Sequence, residues 1–184
     1  MGNASFLTGG SGTFPPSVEE AIHQLQNRSL IFISSWQRAT PDIQRAVRAS
    51  QEAMVYLDHI VNEILRARDL LKSKSTYSGS ALEAQLEIDR GLSCSPVTRI
   101  QQQALSIAGP GNGMLPTAGS PLKMERLLNK IKHRRHDFMN FRIDSSDDHF
   151  FLISVDKPNQ QPDSIVEFSV GNFCSHCSAI SPLI

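Results

Sequence analysis

The chain has 184 residues, 40% of them hydrophobic and 20% charged, with 18 basic and 18 acidic side chains that cancel. That length and composition suit one soluble domain with a real core. The neutral balance excludes binding to nucleic acid or membrane by net charge alone, so such a contact would need a local patch. Three cysteines, Cys94, Cys174 and Cys177, are too few for a disulfide scaffold, and reduced thiols in a cytoplasmic protein are expected.

Residues 1–14 are rich in Gly, Ser and Thr and read as a flexible lead-in. Met1 to Pro16 has neither the cationic region nor the apolar run of a signal peptide. Gly2 stands where an acyl group could attach, but Phe6 occupies the place of the usual Ser or Thr, and the sequence does not decide whether Gly2 is acylated. The longest dense apolar run, Leu30 to Ile33, is far too short for a membrane span.

A helical bundle is expected over residues 15–136. Pro15-Pro16-Ser17 opens a helix with Glu19 and Glu20 in its first turn, where the helix dipole favours anions. Thr40-Pro41 reads as a second start. Ile43, Val47, Met54, Leu57, Val61 and Ile64 then follow steps of four and three, predicting a long amphipathic helix over 41–72, its seam widened by Ala46, Ala53 and Ile60. That seam could pair with a second copy in a homo-oligomer. Two short helices are expected over 81–89, stopped by Gly91, and over 96–108, with Val97, Ile100, Ala104 and Leu105 inward. An irregular loop fills 109–120.

Ser120-Pro121 then starts a basic helix with Met124, Leu127, Leu128 and Ile131 inward. Extended segments follow from Phe138, over His149 to Val155 and over Ser164 to Val170, and predict a sheet of two or three strands over 137–171. Residues 172–184 read as a tail. The expected fold is α+β: an antiparallel helical bundle followed by a small antiparallel sheet.

Charge changes sign abruptly in the last third. Pro121 to Arg142 holds seven cations and two anions, and the remainder holds six anions and one cation. Lys130, Lys132, Arg134 and Arg135 can contact phosphates, and Phe138 and Phe141 could stack on unpaired bases. The plain alternative is a solvated helix end, or one neutralised by the acidic segment that follows. The candidate partners are therefore RNA or an acidic protein surface.

The same segment holds Arg126-x6-His133. Here the chain resembles the HEPN family of helical-bundle proteins, many of which are ribonucleases with Arg, four to six residues, then His on the last core helix. The resemblance covers roughly residues 16–136. It implies an endoribonuclease in which Arg126 stabilises anionic charge and His133 transfers protons. On one regular helix the two would share a face with their Cα atoms about 10 Å apart.

Cys174-Ser175-His176-Cys177 has the spacing of two corners of a zinc site, with Cys94, His133, His136 or His149 to complete it. The plain alternative is two small thiols packed beside the last strand, with no cofactor. Three functional classes follow: a binding module using the basic helix end, a HEPN-like RNA-processing enzyme or toxin, and a structural subunit pairing through 41–72.

Overall fold

A computed structural model describes residues 17–184; the expected lead-in over 1–14 and Gly2 lie outside the described residues. The elements run α1 (Val18–Trp36), α2 (Ile43–Ser73), α3 (Ala81–Leu86), β1 (Asp89–Cys94), α4 (Arg99–Ile107), β2 (Ser120–Lys123), α5 (Met124–Lys132), β3 (Arg134–Ile143), β4 (His149–Asp156), β5 (Pro162–Ser169) and α6 (Val170–Ile180). A short 3-10 turn, Ser181–Leu183, closes the chain. The α+β class holds. The sheet is larger than expected: five antiparallel strands in the order β2-β1-β5-β4-β3, not two or three. None of the described helices is long and apolar enough to cross a membrane.

The helices start where side chains can meet free backbone N–H groups. Ser17 Oγ accepts from Glu20 N, and the cap of α2 is Asp42 rather than Thr40, accepting from Arg45 N at 3.0 Å. The six residues between α1 and α2 turn the chain back on itself, so the two form a helical hairpin. Helix α2 is 31 residues long, about 46 Å at 1.5 Å per residue. Its buried line is Ala46, Ala49, Ala53, Leu57, Ile60, Val61, Ile64 and Leu65. Leu57, Val61 and Ile64 lie inward as expected, Met54 is half-buried, and Val47 is 49% exposed. The N-terminal half of the helix turns its alanines inward because the bulky ring of Phe32 occupies the space against Ala46 and Ala49.

Two strands lie inside what the pattern reads as the bundle. At Gly91 the chain runs as β1, not as a helix stop, and an added Cβ there would sit 3.0 Å from the Glu167 carbonyl oxygen. Glycine therefore permits the close approach of β1 to β5. Ser120-Pro121 belongs to the short edge strand β2, where proline lacks only an N–H that an edge can spare. The loop before it lies close on the sheet: Gly113 N donates to the Phe141 carbonyl at 3.1 Å, and an added Cβ would meet Leu152 at 2.8 Å.

Successive residues of β4 face opposite sides of the sheet. Phe151, Ile153 and Val155 join the large core with residues of α1, α2, α3, α5 and α6, whereas Leu152 packs with Leu105 of α4, Cys94, Val97 and Ile165. Helix α4 is rotated from its expected face. It buries Gln102 and Leu105 and leaves Ile100 and Ile107 about four-fifths exposed, at 78% and 83%. The buried amide is satisfied: Gln102 Nε2 donates to the Val155 carbonyl at 2.9 Å, and its oxygen accepts from Arg99 at 2.5 Å. The expected tail is helix α6, capped by Ser169 and burying Val170, Phe173, Cys174, Cys177 and Ile180.

An aromatic column ties the helical hairpin to the sheet. His149 stacks on Phe32 with ring centroids 4.8 Å apart and meets Phe141 and Phe151 edge-on. Its Nδ1 shares a 2.9 Å hydrogen bond with Ser29 Oγ of α1. Burial pushes its pKa down from 6.5 to about 4.

Two expectations follow. Leu57→Asp should unfold the domain, because Leu57 is 1% exposed and the new carboxylate would be buried without a partner, whereas Val47→Asp should change stability by less than about 0.5 kcal/mol in urea melts. In the pH dependence, the unfolded chain takes up the His149 proton first as the pH falls. Stability is full above about 6.5 and declines as the pH falls toward about 4, by up to about 3 kcal/mol. Urea titrations at stepped pH should show that slope, and His149→Phe should flatten it between pH 6.5 and 4.

Candidate binding groove at the end of helix α5

The cationic run does not continue as one helix. Helix α5 ends at Lys132, His133 caps it, and Arg134 begins β3. Arg134 then folds inward to 8% exposure. Its Nη1 and Nη2 donate to the two carboxylate oxygens of Asp58 on α2 at 2.6 and 2.9 Å, and Nη1 also donates to the Ile131 carbonyl at 2.9 Å. The guanidinium thus meets a carboxylate in a fork and satisfies a carbonyl at the helix C-terminus.

Most of the other cations are also paired. Arg135 donates to Asp156 and Asp137 at 2.9 and 3.0 Å. Asp156 also receives both guanidinium nitrogens of Arg99 at 2.9 Å. Burial works to raise the Asp156 carboxyl, and the hydrogen bonds from Arg99 and Arg135 outweigh it, so the group is held below its ordinary range. Lys130 pairs with Asp163, whose pKa is likewise held down against burial. Arg142 pairs with Glu167 at 2.8 Å and lies over the Phe150 ring at 3.9 Å. Lys123 pairs with Glu87. Five of the seven cations between 121 and 142 are so engaged, and among the described residues Arg126 and Lys132 form no ion pair.

Arg126 and His133, on α5 and at its cap, line different hollows. Arg126 is exposed and lines a hollow of about 480 Å³ with Glu87, Asp89, Pro121, Lys123 and Glu125. His133 lines a different groove, of about 540 Å³, with Asn129, Lys130, Val155, Asp156, Lys157, Pro158 and Asp163. Phe138 is half-buried and flanked by guanidinium groups, with Arg135 4.9 Å and Arg99 5.8 Å from its ring centroid. Phe141 sits in the aromatic column against Phe32 and Trp36.

In the groove at the end of α5, exposed Pro158 supplies apolar surface, and Val155 lies beneath it, 3% exposed and packed in the core. Asp156 and Asp163 are already engaged by Arg99, Arg135 and Lys130. Exposed His133 and Lys157 on its walls, and neighbouring Lys132, form no ion pair among the described residues. Lys157 was not singled out from sequence, because it stands alone among the acidic residues of the last segment.

Cys174 and Cys177 are both fully buried on α6. Burial pushes the Cys174 thiol up to about 12 and raises Cys177 well above its usual value, with Cys174 adding to the effect. Without a metal, both thiols stay protonated at neutral pH. Among the described residues no three His, Cys, Asp or Glu side chains are grouped as a metal site. Comparison of the chain with family models, curated proteins and solved structures finds no match.

Asp58→Ala should lower stability by about 1–3 kcal/mol, because it leaves the buried Arg134 guanidinium without its carboxylate. Arg134→Met with Asp58→Ala should recover much of that loss, since the uncompensated charge is then gone. Urea melts of the single and double variants measure both.

Proposed function

We propose that this chain is a binding module that receives an acidic segment of a protein partner in the groove at the end of α5. The observation that carries this reading is that His133 and Lys157 line the groove without an ion pair, with exposed Lys132 next to His133 in sequence, while the groove's carboxylates Asp156 and Asp163 are already paired. An acidic chain can lay an apolar side chain on Pro158 and bring its carboxylates to Lys157 and His133. These charges would steer and orient it, and Pro158 would supply contact area. Three reduced, buried thiols suit a cytoplasmic setting for this role.

The other classes have less support. RNA binding draws its affinity from phosphate-neutralising cations, and internal pairing leaves few here. A HEPN-like reaction would need Arg126 and His133 on one phosphate, and they open onto different hollows. Pairing of copies through α2 would need an apolar seam, and most of its seam already packs in the core, leaving Ile43, Val47, Val55 and Leu70 scattered.

A fluorescent Glu-rich peptide containing Leu and Phe should bind the wild-type protein, more weakly as salt rises. Lys132→Glu with Lys157→Glu should raise its Kd at least about tenfold, or about 1.4 kcal/mol, without changing the melting temperature, since neither residue holds an ion pair in the fold. Unchanged affinity in that variant would refute the reading. Tight retention of a single-stranded RNA in place of the peptide would restore the nucleic-acid reading.

A further inference from the structure

We propose that an arginine-lined hollow between α1 and α2 binds a phosphate dianion, either free or as the monoester of a small molecule. The hollow shares no residue with the groove at the end of α5. It encloses about 320 Å³ and is lined by Arg28 and Ile31 of α1 and by Arg45, Arg48, Ala49 and Glu52 of α2. That volume is at the lower end of the roughly 300–1,000 Å³ of small-molecule sites. Residues three, four and seven apart share one face of a helix, so the α2 members look across the same seam toward α1. Three guanidinium groups against one carboxylate give the lining a net charge of +2, in a chain whose charges cancel as a whole.

Helix stability does not explain these arginines. Arg45 lies in the first turn of α2 and Arg48 in the second, at the end where the helix dipole opposes cations, and no acidic residue occupies the first turn. Asp42 caps the helix, with its Oδ1 engaged by the Arg45 backbone N–H. Like charges three apart on a helix also repel. Internal pairing does not absorb the three cations. Glu52 meets Arg28 Nε at 3.0 Å across the seam and Arg48 Nε at 3.3 Å on its own helix, so one carboxylate serves two guanidinium groups. Arg45 forms no ion pair among the described residues. The contact of Arg28 with Glu52 is close but poorly aligned, because that Nε is buried and has no hydrogen-bond partner. An unpaired buried donor is costly, and an anionic oxygen in the hollow would pair it. Guanidinium forks match phosphate oxygens, and the three oxygens of a monoester can accept from several arginines at once. Half-buried Ile31 offers apolar surface to the carbon body of an ester.

Phenyl phosphate is the probe, at a pH of about 7.5, above the second pKa of about 6 typical of a phosphomonoester. Titrated into the full chain at constant ionic strength, it should give saturable shifts in the backbone amide NMR signals of Arg28, Arg45, Arg48 and Ala49. Benzenesulfonate has the same ring and a single charge, and should bind at least about tenfold more weakly. Arg45→Gln with Arg48→Gln should raise the phenyl phosphate Kd at least about tenfold. The double variant should not lose melting temperature, since Arg45 holds no ion pair and Arg48 is 83% exposed. Inorganic phosphate in parallel distinguishes the sources: tighter phenyl phosphate assigns the site to a monoester, and tighter inorganic phosphate to the free ion. Shifts that do not saturate or that spread over the whole surface would overturn the proposal, as would an unchanged Kd in the double variant. Equal binding of the sulfonate would reduce the hollow to a general anion surface and overturn it too. Tighter binding of a single-stranded RNA through the same arginines would replace it with a nucleic-acid site. The wild-type titrations decide the matter even if the variant fails to fold.

Discussion

A guanidinium taken out of water must be met by an opposite charge, and this constraint organises the end of the molecule that carries the groove. Arg134 follows directly on helix α5 and is buried between α2 and the sheet. Its fork on Asp58 and its bond to the Ile131 carbonyl require the helix to end at that point, because a further turn of helix would use the carbonyl and rotate the side chain away. Ending there puts Arg135 within reach of Asp156 and leaves His133 and Lys132 outside. The groove is therefore a consequence of how one charge is buried. Exposed pairs such as Arg135–Asp137 add little to stability, but the shared carboxylate of Asp156 fixes the bulged start of β3 against α4.

At the far end of β4 the same requirement is met with a neutral group. His149 occupies the centre of the aromatic column, where a charged imidazole would be costly, and it stays neutral until the pH approaches 4. The stack on Phe32 and the hydrogen bond to Ser29 bind the α1–α2 hairpin to the sheet through rings and one polar contact. One strand thus carries an apolar, neutral junction at its start and a network of ion pairs at its end.

The long helix and the three C-terminal strands were legible because their apolar spacing repeats over many residues. Strands β1 and β2 were not, because each is short and contains Gly91 or Pro121, which ordinarily interrupt secondary structure; here one serves a close strand approach and the other an edge. Helix α4 was assigned the wrong face because hydrophobicity alone places Ile100 inside and Gln102 outside. The Val155 carbonyl, 53 residues from Gln102, and Arg99 one helical turn before it satisfy the amide and reverse that preference. Helix α6 was hidden by its Ser, Gly and Cys content, although Val170, Phe173, Cys177 and Ile180 keep a helical spacing. At the candidate site, the sign of each charge could be read directly. Which cations stay free could not, since Asp58 lies 76 residues before Arg134, and Asp163 lies 33 after Lys130.

The residual charges are informative because so many others cancel. A protein with equal numbers of acids and bases can satisfy them locally, and most of the basic segment here does so. The charges that form no ion pair among the described residues, Arg38, Arg45, Lys74, Arg90, Arg126, Lys132 and Lys157 among them, are scattered, and in 0.15 M salt, where the screening length is about 8 Å, each acts only on its near surroundings. On the binding reading proposed above, a contact at the groove would therefore be decided at short range, by fit to Pro158 as much as by Lys157. Such a surface selects by shape and concentration, which suits a module that holds a protein segment better than one that captures a polyanion.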